Sequence, residues 1–262
     1  VEIINYCPIY FLDPMDPLKQ RQWSLKEKLK AIINGHAQRE RYRLFQNFNK
    51  KYLPRMTMRY NTPNDLETAE LDYDVYICGS DQIWNPENVK HDTSFFFDYV
   101  TKNKAVLASY AASIGQDRLS MQDQEWIRKG IARFDNISIR EKSGVDLACK
   151  LLNSGRIVQS IDPTLLFSGD YWRSVSQKPT ENLPDHFILY YPIQNTDFSL
   201  DVIMRVKKET GLSCIALDGG IKKNPHASMQ IRSYGPCEFL WLIDHADYII
   251  TNSFHGTVLS LL

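Results

Sequence analysis

Tyr248-Ile249-Ile250-Thr251-Asn252-Ser253-Phe254-His255-Gly256 is the stretch that sets the fold class. A short apolar strand runs into a polar turn, and Thr257-Val258-Leu259-Ser260-Leu261-Leu262 reads as the helix that follows. Strand, turn and helix in that order make one half of a βαβ unit. The junction offers unpaired backbone N–H groups and the positive end of a helix dipole, so it favours a bound anion. His255 stands at the helix start, and histidine is the side chain best suited to move a proton near neutral pH. It serves equally well there as a packing or capping residue, with the dipole favouring its neutral form. Asn252 and Ser253 are good caps in any helix, and Gly256 permits close packing or close approach of a ligand.

Working outward, the same alternation recurs. The pattern predicts strands over 73–78, 105–112, 137–140, 156–159, 186–191, 213–217 and 247–251. Between them it predicts helices over 121–134, 143–152 and 198–209, and another beginning near Pro236. Val1-Glu2-Ile3-Ile4-Asn5-Tyr6 reads as a further strand, followed by turns at Pro8, Pro14 and Pro17. A long helix over 24–50 carries Leu25, Leu29, Ile32, Ile33, Tyr42, Phe45 and Phe48 at helical spacing, with Gly35 as a point of interruption. Strands alternating with helices imply an α/β fold with mostly parallel sheets. Residues 168–184, with Gly169, Pro179 and Pro184, read as a linker between an N-terminal domain, 1–167, and a C-terminal domain, 185–262. Both chain ends read as truncated: the first strand lacks an initiator methionine, and the last helix stops at Leu262 without a cap.

The 262 residues, 43% apolar and 24% charged, suit a globular protein with a proper core. No apolar run approaches a membrane span, and the first residues lack the basic start of a signal peptide. Cys7, Cys78, Cys149, Cys214 and Cys237 lie far apart without a Cys-x-x-Cys pair, which favours buried thiols in a reducing cytoplasm over disulfides or zinc. No metal or cofactor is expected. Net charge is zero, yet residues 19–60 hold twelve Lys or Arg against only Glu27 and Glu40. That block reads first as a solvated helix face. It is also compatible with an acidic glycan or with anionic lipid, as in peripheral association at the inner face of a membrane, but without interleaved aromatics it does not point to nucleic acid.

In open α/β sheets, ligands gather at the carboxyl ends of strands. Here those ends read Gly79-Ser80-Asp81, Ser113-Ile114-Gly115, Arg140-Glu141-Lys142, Asp162-Pro163, Asp218-Gly219-Gly220 and Asn252-Ser253-Phe254-His255. A carboxylate, an arginine and a histidine thus fall on the rims of two domains able to face each other. Arg140 suits bidentate grip of a carboxylate or phosphate, or else an ion pair with Glu141 or another rim carboxylate. Asp81 suits acceptance of a proton from a sugar hydroxyl, or else caps its turn. Gln82 and Trp84 offer a hydrogen bond and a stacking face for a sugar, or else simply pack the loop. Asp162-Pro163 reads as a turn. Neither Gly-x-Gly-x-x-Gly nor a P-loop is present, so nucleotide binding is not signalled.

Five segments in order resemble the polysaccharide pyruvyl transferase family: 74–84, 110–115, 137–144, 162–166 and 246–256. The resemblance implies two Rossmann-like domains in a GT-B-like arrangement, with the active site in the cleft. It implies transfer of pyruvate from phosphoenolpyruvate to two hydroxyls of a glycan or lipid-linked sugar as a cyclic ketal, with release of phosphate. His255 matches the family's histidine and is the expected acid, and Asp81 would orient or deprotonate the acceptor. Arg140 would hold the donor's carboxylate or phosphate, and the turn at Asn252-Ser253 would offer N–H groups to the phosphate. Gly79, Ser80, Gln82 and Trp84 complete the expected substrate-binding set. In another branch of the family the position of Ser253 is an arginine; Lys142, Lys222, Lys223 and Arg232 are the candidate substitutes here. Alternative functions are a GT-B-like glycosyltransferase using a nucleotide sugar, and a non-catalytic glycan-binding relative.

Overall fold

The computed structural model describes residues 1–13, 15–101, 104–217 and 224–262. The expected turn at Pro14, the rim segment Asp218-Gly219-Gly220, Lys222 and Lys223 lie outside the described residues, as do the side chains of Leu29, Ile32 and Ile33. In chain order the elements begin with α1 (Pro17–Gln20), α2 (Leu25–Tyr52), α3 (Pro63–Glu67), β1 (Val75–Gly79) and α4 (Pro86–Val89). There follow β2 (Val106–Tyr110), α5 (Met121–Ile131), β3 (Ser138–Ile139), α6 (Lys142–Leu152), β4 (Val158–Gln159) and α7 (Gly169–Val175). The chain continues with β5 (Phe187–Tyr191), α8 (Asp197–Thr210), β6 (Ser213–Leu217), β7 (Met229–Ile231), α9 (Pro236–His245), β8 (Tyr248–Thr251) and α10 (Phe254–Ser260). This is a mixed α/β fold, and its paired strands run parallel.

Two compact units divide the chain: residues 5–8 and 58–166 form one, and residues 1–4, 9–57 and 167–262 the other. In the first unit, β1 pairs with β2 from Val75↔Val106 to Gly79↔Tyr110, and β3 pairs with β4. Single bridges at Ala108↔Asn136 and Ala112↔Ile139 carry the parallel run from β2 to β3. Two buried serines lock that junction. Ser109 Oγ donates to the Ser138 carbonyl at 3.1 Å, and Ser138 Oγ donates to the Ser109 carbonyl at 3.1 Å. Each hydroxyl also accepts a backbone N–H, so no buried donor or acceptor is lost where the ladder is thin. The core gathers Trp84, Phe96, Ile114, Ile127, Ile131, Ile139 and Ala148.

In the second unit the strand order is β7-β6-β5-β8. Alternate residues of β5 face opposite ways, because side chains alternate across a strand. Phe187 and Leu189 join Ile215, Leu217 and Ile231 against Leu242 and Ile243 of α9. Ile188 and Tyr190 join Cys214 and Ala216 against Ile203 of α8. With both faces covered, the strands need to be apolar throughout, which is why Phe187-Ile188-Leu189 reads as a continuous run. α2 belongs to this unit and packs on α9, where a Cβ at Gly235 would meet Leu44 Cβ at 2.8 Å.

Several local expectations are corrected. Val1–Tyr6 is not a strand: only Ile3 and Tyr6 make isolated bridges, to Met56 and Tyr60. Apolar character alone does not make a strand where no neighbour pairs along its length. α2 runs unbroken through Gly35 to Tyr52, held at its start by a capping box between Ser24 and Glu27. The stretch expected as a linker contains α7, whose cap is Ser168 accepting from Tyr171 N. The final helix begins at Phe254, three residues earlier than the apolar pattern suggests, because Ser253 caps it.

Candidate functional site

The chemistry-bearing residues of the first unit converge at the carboxyl ends of its strands. β1 ends at Gly79, whose φ of 132° is open to glycine alone in practice; a Cβ there would lie 2.0 Å from the Tyr110 carbonyl oxygen. Release from the ladder at Gly79 turns Ser80 and Asp81 out of the sheet. Asp81 sits in the left-handed region (φ 59°), which aspartate tolerates, and its carbonyl accepts from Ser113 N at 2.8 Å. The loops after β1 and β2 therefore run together.

Arg140 follows β3, its backbone N–H bonded to the Ala112 carbonyl at 3.0 Å. Its side chain is only 10% exposed, and Nη1 donates to Asp162 Oδ2 at 2.9 Å. Nη2 lies 3.9 Å from Asp81 Oδ1, and the Asp81 side chain is 69% exposed. Ser80 Oγ donates to the same Asp162 oxygen at 2.7 Å. Thr164 supplies two more bonds, N–H at 3.0 Å and Oγ1 at 2.7 Å, both to Asp162 Oδ1. Burial pushes the Asp162 carboxyl up, but the bonds from Thr164, Ser80 and Arg140 outweigh it and bring the pKa down to about 2. Asp162 is an ionised carboxylate at the centre of a polar cluster, and the turn reading understated it.

The neighbouring loop residues make bonds and contacts within the unit. Gln82 Oε1 accepts from Asn85 Nδ2 at 2.8 Å and Asn88 Nδ2 at 2.7 Å, so its acceptor is spent within the loop. Trp84 is fully buried, with Phe96 stacked at 5.6 Å and Phe134 edge-on at 5.4 Å. No face of that ring remains for a sugar; the packing reading holds, since an indole is too large to leave exposed beside an open core. Glu141 Oε1 accepts from Ile114 N at 2.7 Å and Gly115 N at 3.2 Å. It thereby ties the end of β2 to the start of α6.

In the second unit, the turn after β8 is built by mutual hydrogen bonds. Thr251 Oγ1 donates to the Tyr191 carbonyl at 2.6 Å and accepts from Ser253 N at 3.0 Å. Ser253 Oγ accepts from Gly256 N at 3.2 Å, which caps α10. The Asn252 side chain does not cap the helix. Its Oδ1 accepts from Ile193 N at 2.7 Å and its Nδ2 donates to the Gln194 carbonyl at 2.8 Å, pinning the loop after β5. His255 is half-buried, its ring edge-on to Phe254 at 5.3 Å. The structure thus gathers Ser80, Asp81 and Arg140 in one unit, and Asn252, Ser253 and His255 in the other.

A positive charge acts on Tyr191, whose phenol also bonds Ser253. Burial raises the Tyr191 phenol, while attraction from Arg41 and a hydrogen bond with Ser253 pull the other way. Arg41, on α2, places its guanidinium 5.4 Å from the Tyr234 ring and 5.5 Å from the Phe45 ring. Its buried Nε has no hydrogen-bond partner among the described residues. Sequence reasoning missed Arg41 because it lies among twelve basic residues and nothing local marks it. Of the candidates named from sequence, Lys142 is paired with Asp146 on α6.

A cavity of about 440 Å³ lies elsewhere in this unit, lined by Trp172, Arg173, Leu240, Asp244, Asp247 and Leu262 among others. It opens beside the amino end of β8, whereas His255 follows the carboxyl end, so volume and chemistry do not coincide. Among the described residues no group of His, Cys, Asp and Glu is arranged to hold a metal ion, and no helix is long and apolar enough to cross a membrane.

A family model described as polysaccharide pyruvyl transferase matches residues 1–262. The chain belongs to the polysaccharide pyruvyl transferase family. No curated protein and no solved structure matches it. Family membership makes it a transferase that moves pyruvyl groups in polysaccharide biosynthesis, with a polysaccharide acceptor.

Proposed function

We propose that the protein transfers pyruvate from phosphoenolpyruvate to two hydroxyls of one sugar, in a cell-surface polysaccharide or its lipid-linked precursor. The product is a cyclic ketal, and phosphate is released. The observation that carries this reading is Arg140, held by Asp162 at 2.9 Å with the exposed Asp81 carboxylate 3.9 Å from its other nitrogen. The guanidinium binds the donor's carboxylate or phosphate and steadies the negative charge on the phosphate as it departs.

His255 protonates the methylene carbon of the enol phosphate, leaving an oxocarbenium-like centre at the adjacent carbon. One sugar hydroxyl attacks that centre and loses its proton. The second hydroxyl then displaces phosphate, which carries off its proton, and closes the ketal. Asp81 orients the acceptor or takes its proton. The reaction takes place on the cytoplasmic side of the membrane, where phosphoenolpyruvate is made and where a lipid-linked acceptor presents its sugar.

The test is incubation of the protein with phosphoenolpyruvate and a panel of glycan and lipid-linked acceptors, with phosphate release as the readout. His255→Ala is expected to lower the rate roughly 10²–10⁴-fold with the fold intact. Turnover of a nucleotide sugar, with no phosphate released for any acceptor, overturns the reading.

A further inference from the structure

Asp162 is 2% exposed, yet it is charged and receives four hydrogen bonds from three separate segments. Thr164 holds one oxygen by two donors, which fixes the plane of the carboxylate. The other oxygen is thereby aimed, and it takes Ser80 Oγ and Arg140 Nη1 together. A buried carboxylate gains little for the fold over an apolar replacement, so stability alone is a weak reason for it. An arginine at a sheet rim, by contrast, loses rotamer entropy when it is held in one pose. A buried anchor meets that cost before substrate arrives.

We propose that Asp162 is a positioning residue, which sets the Arg140 guanidinium in the pose that grips the anionic donor. The inference rests on the assignment of Arg140 to the donor. Charge and orientation act in opposite senses here. As an anion beside an anion-binding group, Asp162 weakens donor binding; as the anchor of Arg140 it strengthens binding. The sign of the effect on removing its charge therefore decides between them.

The experiment is calorimetric titration of phosphoenolpyruvate into the wild-type protein, Asp162→Asn, Arg140→Ala and the double variant, with thermal melts to verify the fold. Asp162→Asn is expected to weaken phosphoenolpyruvate roughly tenfold, as loss of an orienting partner does at other sites. The double variant is expected to bind no more weakly than Arg140→Ala alone, because Asp162 acts through Arg140. Wild-type or tighter binding by Asp162→Asn, beside weak binding by Arg140→Ala, overturns the inference and leaves the donor assignment standing. Wild-type binding by Arg140→Ala overturns both. Should Asp162→Asn fail to fold, Thr164→Val removes one bond to Asp162 Oδ1 and keeps the charge. It is expected to weaken binding about threefold, and unchanged affinity in that variant also overturns the inference.

Discussion

Ser80 Oγ donates to Asp162 Oδ2 at 2.7 Å, joining residues 82 apart in the chain. The same oxygen holds Arg140 Nη1 at 2.9 Å. One buried carboxylate thus couples the loop after β1, the end of β3 and the segment after β4. The rim of that unit is a single hydrogen-bonded piece, and what perturbs Asp162 is felt by all three.

The acid response follows from this carboxylate. Its pKa of about 2 lies below the ordinary 3.8. A depressed folded-state value means that ionisation stabilises the fold above about pH 4, and that this contribution fades as pH falls toward 2. At neutral pH the ionised form is worth something on the order of 2 kcal/mol more to the fold than the protonated acid would be. Urea unfolding of the wild type and Asp162→Asn across pH 2 to 7 should show a gap that narrows on acidification. A constant gap would mean that Asp162 does not carry this linkage.

Gly79→Ala should be severe. The added Cβ meets the Tyr110 carbonyl oxygen at 2.0 Å, and the φ of 132° disfavours any L side chain. The oxygen is backbone and the Cβ position is fixed by the backbone, so neither can rotate away. We expect a loss of roughly 3 kcal/mol or more, seen as a large drop in Tm or failure to fold. A near-normal Tm would place this turn elsewhere.

Trp84 separates packing from recognition. Buried against Phe96 and Phe134, it should cost about 3–5 kcal/mol as Trp84→Ala. Trp84→Phe should keep most of the stability and leave the acceptor KM unchanged. A raised acceptor KM in a well-folded Trp84→Phe protein would restore the sugar-stacking role.

At the other rim, Ser253→Ala removes the cap from Gly256 N and should cost about 1 kcal/mol. Asn252→Ala frees Ile193 N and the Gln194 carbonyl. Because that loop is exposed, its cost should stay near 1 kcal/mol, with faster hydrogen exchange confined to residues 192–195. Exchange spread evenly over the unit would show that Asn252 holds more than its loop.

The strands and helices around these residues were largely legible in the sequence. β5 and β6 announce themselves as apolar runs bounded by polar turns. β7 did not, because three residues without alternation carry no period to read. Val1–Tyr6 misled for the opposite reason: it has the composition of a strand, and only its partners show that pairing is confined to single bridges.

The site divides in the same way. Arg140, Asp81 and His255 could be placed at strand ends from sequence, because the end of an apolar run followed by a polar turn is a local feature. Their partners could not be placed. Asp162 read as a turn residue, Trp84 as a possible sugar platform and Asn252 as a helix cap, since each side chain suits either use. The choice between uses depends on which distant backbone arrives beside it. Local periodicity and capping, acting over a few residues, determined the α/β alternation and the positions of the rims. Hydrogen-bond partnership and burial, which exist only once strand register and loop closure bring remote segments together, decided that Asp162 holds Arg140 and that Trp84 fills the core.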